Sequence, residues 1–105
     1  MELKTIELAQ QQAAICAVFA NYRRVLILWT LVEQEKSVSD IATAVNASLQ
    51  STSQHLHLMK DRGILQSRRD GQTVYYRVAN HNITARCPLL IETRRNQLIK
   101  HNQSK

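Results

Sequence analysis

Only three residues in this chain of 105 break regular structure by their nature: Gly63, Gly71 and Pro88. So few breakers mean a mostly helical chain with short connections. Gly63 sits where a glycine that ends a helix belongs. Asp70-Gly71 lies between two β-prone runs, about Ile64 to Arg69 and Thr73 to Val78, and Asp-Gly is a strong hairpin signal. In the second run Val74, Tyr76 and Val78 alternate with Thr73, Tyr75 and Arg77, the pattern of a half-buried strand.

Helical periodicity accounts for most of the remainder. An Ala- and Gln-rich first helix is expected from about Thr5 to Phe19, with Ile6, Ala9, Ala13, Cys16 and Ala20 along one stripe, widened by Ile15, Val18 and Phe19. A second is expected from Tyr22 to about Glu35, facing inward through Val25, Leu28, Trp29 and Val32, with Leu26, Ile27 and Leu31 beside them. Ser37, with Asp40 three residues on, resembles a capping box. It opens a short third helix that buries Val38, Ile41, Ala42 and Val45 and ends near Asn46. Ser48 is the candidate N-cap of a fourth helix reaching about Arg62, with Thr52, Leu56 and Met59 inside. A last helix is expected over roughly Asn80 to His101. Either Pro88 lies in its first turn after a short lead-in, or it kinks one continuous helix. No repeat or linker divides the chain, so residues 1–105 read as one domain of mainly α class with a small β-hairpin.

The chain carries a net charge of +6 and a pI near 9.8, which favours an acidic partner, nucleic acid first and an anionic membrane second. The excess lies in the second half. Residues 1–47 hold four basic and five acidic side chains, residues 48–78 five and two, residues 79–105 five and one. Two distant cysteines, Cys16 and Cys87, do not make a disulfide scaffold. No signal-peptide pattern opens the sequence, and Val25 to Val32 is too short to cross a bilayer, so a cytoplasmic protein without a membrane role is expected.

Two short adjacent helices followed by a basic hairpin give the order of a helix-turn-helix with a wing. The wet face of the fourth helix offers Leu49, Gln50, Ser51, Ser53, Gln54, His57 and Lys60, with no acidic residue before Asp61. Gln pairs bidentately with adenine and Ser serves several base edges. Arg68 and Arg69 before the hairpin turn, Gln72 after it and Arg77 further along suit a phosphate grip or the minor groove. They equally suit an edge strand protected by charge. His55 is expected to be a structural hydrogen-bonding residue and His57 to be exposed near DNA. No nucleophile–base pair, phosphate loop or paired carboxylates point to an enzyme.

Residues 22 to 78 resemble the ArsR (ArsR/SmtB) family of bacterial repressors. The stretches that carry the resemblance are Arg23 to Leu28, Val38 to Ala42, Ser51 to Leu56 and Lys60 to Leu65, completed by Arg68 to Arg77. The resemblance implies a winged helix-turn-helix homodimer joined through its first and last helices. It implies a regulator, usually a repressor, that binds a double-stranded inverted-repeat operator and is released by a metal, a metalloid or an oxidant. It also puts Gln50, Ser51, Ser53 and Gln54 where members touch bases.

The sensing sites depart from the family. Ser37-Val38-Ser39 stands where arsenic and cadmium sensors carry Cys-x-Cys, and serine is a poor ligand for thiophilic metals. Of the zinc-type set only His81 and His101 are present, with uncharged Asn80 beside them, so no metal site is assigned. Trp29 occupies the place of the cysteine that thiol-redox members carry on the second helix. Cys16 and Cys87 remain, either as a redox or thiolate sensor at the expected interface or as small buried hydrophobes. The alternatives to a sequence-specific regulator are a winged helix serving as a protein-interaction module and a low-specificity architectural DNA binder.

Overall fold

The computed structural model describes residues 1–32 and 34–79. The expected last helix, with His81, Cys87, Pro88 and His101, lies outside the described residues. The elements run α1 (Leu3–Val18), α2 (Tyr22–Leu31), β1 (Lys36–Ser37), α3 (Val38–Ala44), α4 (Leu49–Asp61), β2 (Leu65–Asp70) and β3 (Thr73–Val78).

Side-chain caps start three of the helices. Asn21 Oδ1 accepts from the Arg23 and Arg24 amides, Ser37 Oγ from the Asp40 amide and Ser48 Oγ from the Ser51 amide. Such caps stabilise a helix by about 1 kcal/mol each. The helix-turn-helix pair is closed by two Schellman motifs. After α3 the Ala47 amide reaches back to Ala42 O and the Asn46 amide to Thr43 O, with Asn46 at φ 54°. After α4 the Ile64 amide bonds Met59 O and the Gly63 amide bonds Lys60 O, with Gly63 at φ 76°. Both motifs need a left-handed residue, which Gly supplies freely and Asn tolerates. Ile64 and Met59, the two side chains that flank the second motif, are both buried in the core.

The core joins Ile27, Leu28 and Leu31 of α2 to Ile41 and Val45 beside α3, Leu56 and Met59 of α4, and Leu65 and Tyr76 of the hairpin. The inner face expected for α4 is found buried, and of that expected for α3 Ile41, Ala42 and Val45 are buried while Val38 is half-buried against the core. The face expected for α2 is corrected. Its buried stripe is Ile27, Leu28 and Leu31, Val25 and Trp29 are only half-buried, and Val32 is 39% exposed. The reason is that the stripe starts on Arg24, a polar residue four places before Leu28, so apolar residues alone misplace its register. The helix also stops at Leu31 and not at Glu35. The chain then runs into β1, a two-residue strand too short to leave a periodic signal.

β1 lies against β3, which lies against β2, all antiparallel. The hairpin closes at the Asp70–Thr73 pair, so its two-residue loop is Gly71-Gln72, one place later than Asp70-Gly71. Gly71 has φ 64°, and Asn46 is the only non-glycine residue of positive φ among the described residues. A positive first loop residue followed by a negative second one is the II′ turn that suits strand twist.

α1 enters the core only through its last turn, at Ile15 and Val18, with Phe19 packed beside them. The stripe expected from Ile6 to Ala20 is exposed among the described residues, with Leu3 72%, Ile6 40% and Leu8 61% accessible. No single described helix is long and apolar enough to cross a membrane.

Candidate nucleic-acid interface

The recognition-helix candidate is α4. Burial of Thr52, Leu56 and Met59 turns Gln50, Gln54 and His57 outward, and all three are exposed. Their spacing of four and three residues makes one continuous stripe. Ser51 and Ser53 flank it half-buried, and Lys60 is exposed near its C-terminal end. Of the six candidate residues of this helix, the structure therefore puts Gln50, Gln54 and His57 opposite the buried face and Ser51, Ser53 and Lys60 on its flanks.

His55 lies on the flank of α4 that faces the body of the protein. Its Nδ1 accepts a bond from Arg24 Nε at 3.2 Å, so the neutral ring carries its proton on Nε2. Arg24 Nη1 also donates to the Val18 carbonyl at 3.1 Å. One guanidinium therefore ties the end of α1 and the first turn of α2 to the recognition helix. Burial, and then the nearby Arg24 and Arg23 charges, hold the His55 pKa below its ordinary value. This is the structural role expected for His55, although its partner Arg24 had no local signal in the sequence.

The two wing arginines separate. Strand alternation puts Arg68 on the same face as Tyr75, its cross-strand partner, and Arg69 on the other face with Val74. Arg68 lies over the Tyr75 ring, 4.6 Å from its centroid, and reaches across the sheet to Glu35. There Nε and Nη2 meet the carboxylate in a bidentate pair at 2.6 to 2.9 Å. The hydrogen bond from Arg68, followed by its charge and that of Arg77, lowers the Glu35 pKa, and Glu35 raises that of Arg68. Arg69 and Gln72 are exposed, and no partner for either is found among the described residues. The Arg68–Glu35 link spans 33 residues of sequence and depends on β1 pairing, so sequence spacing gave no sign of it.

The remaining candidates are placed as follows. In the single chain Cys16 is exposed on α1, and its Sγ accepts from Gln12 Nε2 at 3.8 Å. Ser37 caps α3 and is thereby committed to the fold. No group of three His, Cys, Asp or Glu residues able to hold a metal occurs among the described residues.

A helix pair closed by a tight turn, an outward polar stripe on its second helix and a three-stranded basic wing define a winged helix-turn-helix protein. Residues 21–67 match the family described as "Bacterial regulatory protein, arsR family". The chain is 31% identical over 91 residues to the transcriptional activator HlyU of Vibrio cholerae, covering 86% of this chain and 84% of HlyU. It is 36% identical over 66 residues to the transcriptional regulator KmtR of Mycobacterium tuberculosis, covering 63% of this chain and 51% of KmtR. It thus spans about half of KmtR's length. Among solved structures, the winged helix-turn-helix DNA-binding domain of Mb0332 from Mycobacterium bovis, described as homodimeric, superposes with a TM-score of 0.75 at 32% identity, covering 96% of this chain and 93% of that one. The chain belongs to the ArsR family.

Proposed function

We propose that the chain is a homodimeric, sequence-specific DNA-binding regulator of transcription, and that it acts as a repressor on an inverted-repeat operator in the bacterial cytoplasm. The observation that carries this is the exposed stripe of Gln50, Gln54 and His57 on a helix seated by three buried residues, with the basic wing beside it. Gln50 and Gln54 are one turn apart and enter one major groove together. Two copies are inferred from α1, whose apolar residues Leu3, Ile6 and Leu8 stay exposed in the single chain and match the homodimeric description of Mb0332. Two-fold symmetry then asks for a palindromic site. Repression is supported by a relative from Synechocystis described as a transcriptional repressor SmtB homolog. Within this reading Cys16 faces solvent on the helix assigned to the interface, where an oxidant or thiophilic metal that releases the operator would reach it. The chemistry expected is binding and not catalysis.

The test is competitive binding at one salt concentration, using an operator selected from random duplexes and a scrambled control. Gln50→Ala and Gln54→Ala are each expected to cost about 1–3 kcal/mol of discrimination between the two, the size of a lost bidentate base contact. Equal losses on both duplexes would make these residues backbone contacts. Binding that is blind to sequence in the wild type would leave an architectural binder, and no binding would leave an interaction module.

A further inference from the structure

We propose that Arg23 is a second anchor for the DNA backbone, outside both the recognition helix and the wing, and that it holds a phosphate in the cleft between α2 and the helix-turn-helix. The proposal rests on the DNA-binding reading above and adds a contact to it.

The two arginines that open α2 stand in its first turn, where the helix macrodipole disfavours positive charge. Arg24 is accounted for by the fold, since it satisfies the Val18 carbonyl and His55. Arg23 is not. Among the described residues its side chain bonds only the hydroxyl of its neighbour Tyr22, at 3.2 Å, and lies 5.6 Å from the centroid of that ring. It forms no ion pair with a described carboxylate. It does line an open cleft of about 800 Å³ with Ser39 and Thr43 of α3, Asn46 of the turn, and Ser48 and Leu49 where α4 begins. No carboxylate lines this cleft among the described residues.

The cleft is continuous with the proposed interface, because Leu49 and Ser48 belong to its wall and Gln50 is the next residue. A recognition helix lying in a major groove brings the bordering sugar–phosphate strand against the start of that helix and the helix before it. Arg23 meets that strand with an uncommitted cation. Tyr22 holds the guanidinium in place, and the planar fork suits two phosphate oxygens. A phosphate contact positions the protein and carries no base information.

The test measures how the affinity of the full chain for the selected operator and for a scrambled duplex depends on salt. Arg23→Ala is expected to weaken both duplexes by the same factor. It should also lower the log–log salt slope by about 0.9 per protomer, the change for one phosphate contact. Arg23→Lys should restore the slope, since charge is kept, with unfolding midpoints unchanged throughout. An unchanged slope in Arg23→Ala, with Gln54→Ala still losing discrimination, would overturn the anchor and leave the DNA-binding reading standing. A loss confined to the operator would also overturn it, by making Arg23 a base-reading residue. Failure of the wild type to bind either duplex at low salt would overturn the underlying reading along with it.

Discussion

Replacing Thr52 with valine is expected to stabilise the protein. Thr52 is 0% exposed, and its Oγ1 finds no hydrogen-bond partner among the described residues. Two other helical threonines behave differently. Thr30 Oγ1 donates to Leu26 O at 2.8 Å and Thr43 Oγ1 to Ser39 O at 3.1 Å, the usual return to the preceding turn. The Thr52 backbone is satisfied, its amide bonding Ser48 O at 3.0 Å, so the unmade bond belongs to the hydroxyl alone. A buried group left in that state costs about 1–3 kcal/mol. Valine keeps the branched shape at nearly the same helix propensity and removes the hydroxyl. The expected gain is therefore about 1–3 kcal/mol, or at least about 4 °C in Tm for a domain of this size. Thr52→Ser makes the opposite change, keeping the hydroxyl and deleting a packed methyl, and should cost about 1 kcal/mol. Urea unfolding at one fixed protein concentration, with unchanged m-values, measures both. A valine variant less stable than wild type would show that the hydroxyl is satisfied in solution and would refute the reasoning.

The His55 pKa is lowered on folding, so between its ordinary value near 6.5 and its folded value the unfolded chain binds more protons. Its contribution is complete above about pH 6.5 and is lost as pH falls through that window, because protonated Nδ1 can no longer accept from Arg24. Urea midpoints from pH 8 to 5 should fall more steeply for wild type than for His55→Gln, and parallel curves would remove the link. In the wing, Arg69→Ala should lower the salt slope of DNA binding by about 0.9 per protomer. Arg68→Ala should change it by much less, because Glu35 already neutralises Arg68. Equal slopes for the two variants would show that the Glu35 pair opens on DNA.

Local chemistry made most of the frame legible before any coordinates. Ser37 and Ser48 cap the helices they were expected to cap, Gly63 closes α4, and Thr52, Leu56 and Met59 are inside. Each of these signals acts within one or two turns of chain. What sequence left out depends on distant partners. β1 exists because Lys36 and Ser37 meet Tyr76 and Tyr75, which are far along the chain. The α2 register was misjudged because a polar Arg24 takes a place on its inner stripe. The α1 stripe is legible as apolar spacing, which shows that a face wants cover without showing what covers it, and in the single chain it stays exposed.

The two arginine doublets show the same division at the candidate site. In Arg23-Arg24 and Arg68-Arg69 the two residues are equivalent by composition. Neighbours in a helix point about 100° apart and neighbours in a strand point to opposite faces, so the two members of a doublet meet different surroundings. In each doublet one arginine is engaged by partners within the chain, Arg24 half-buried and Arg68 at the surface. Arg24 binds the α1 carbonyl and His55, and Arg68 lies over Tyr75 to reach Glu35. The other member, Arg23 or Arg69, meets no carboxylate among the described residues. The basic excess of the sequence therefore overstates the phosphates the surface can neutralise, and the salt slope of DNA binding should reflect one arginine from each pair. The other two tie elements of the fold to one another, Arg24 joining the end of α1 to α4 and Arg68 joining β2 to Glu35.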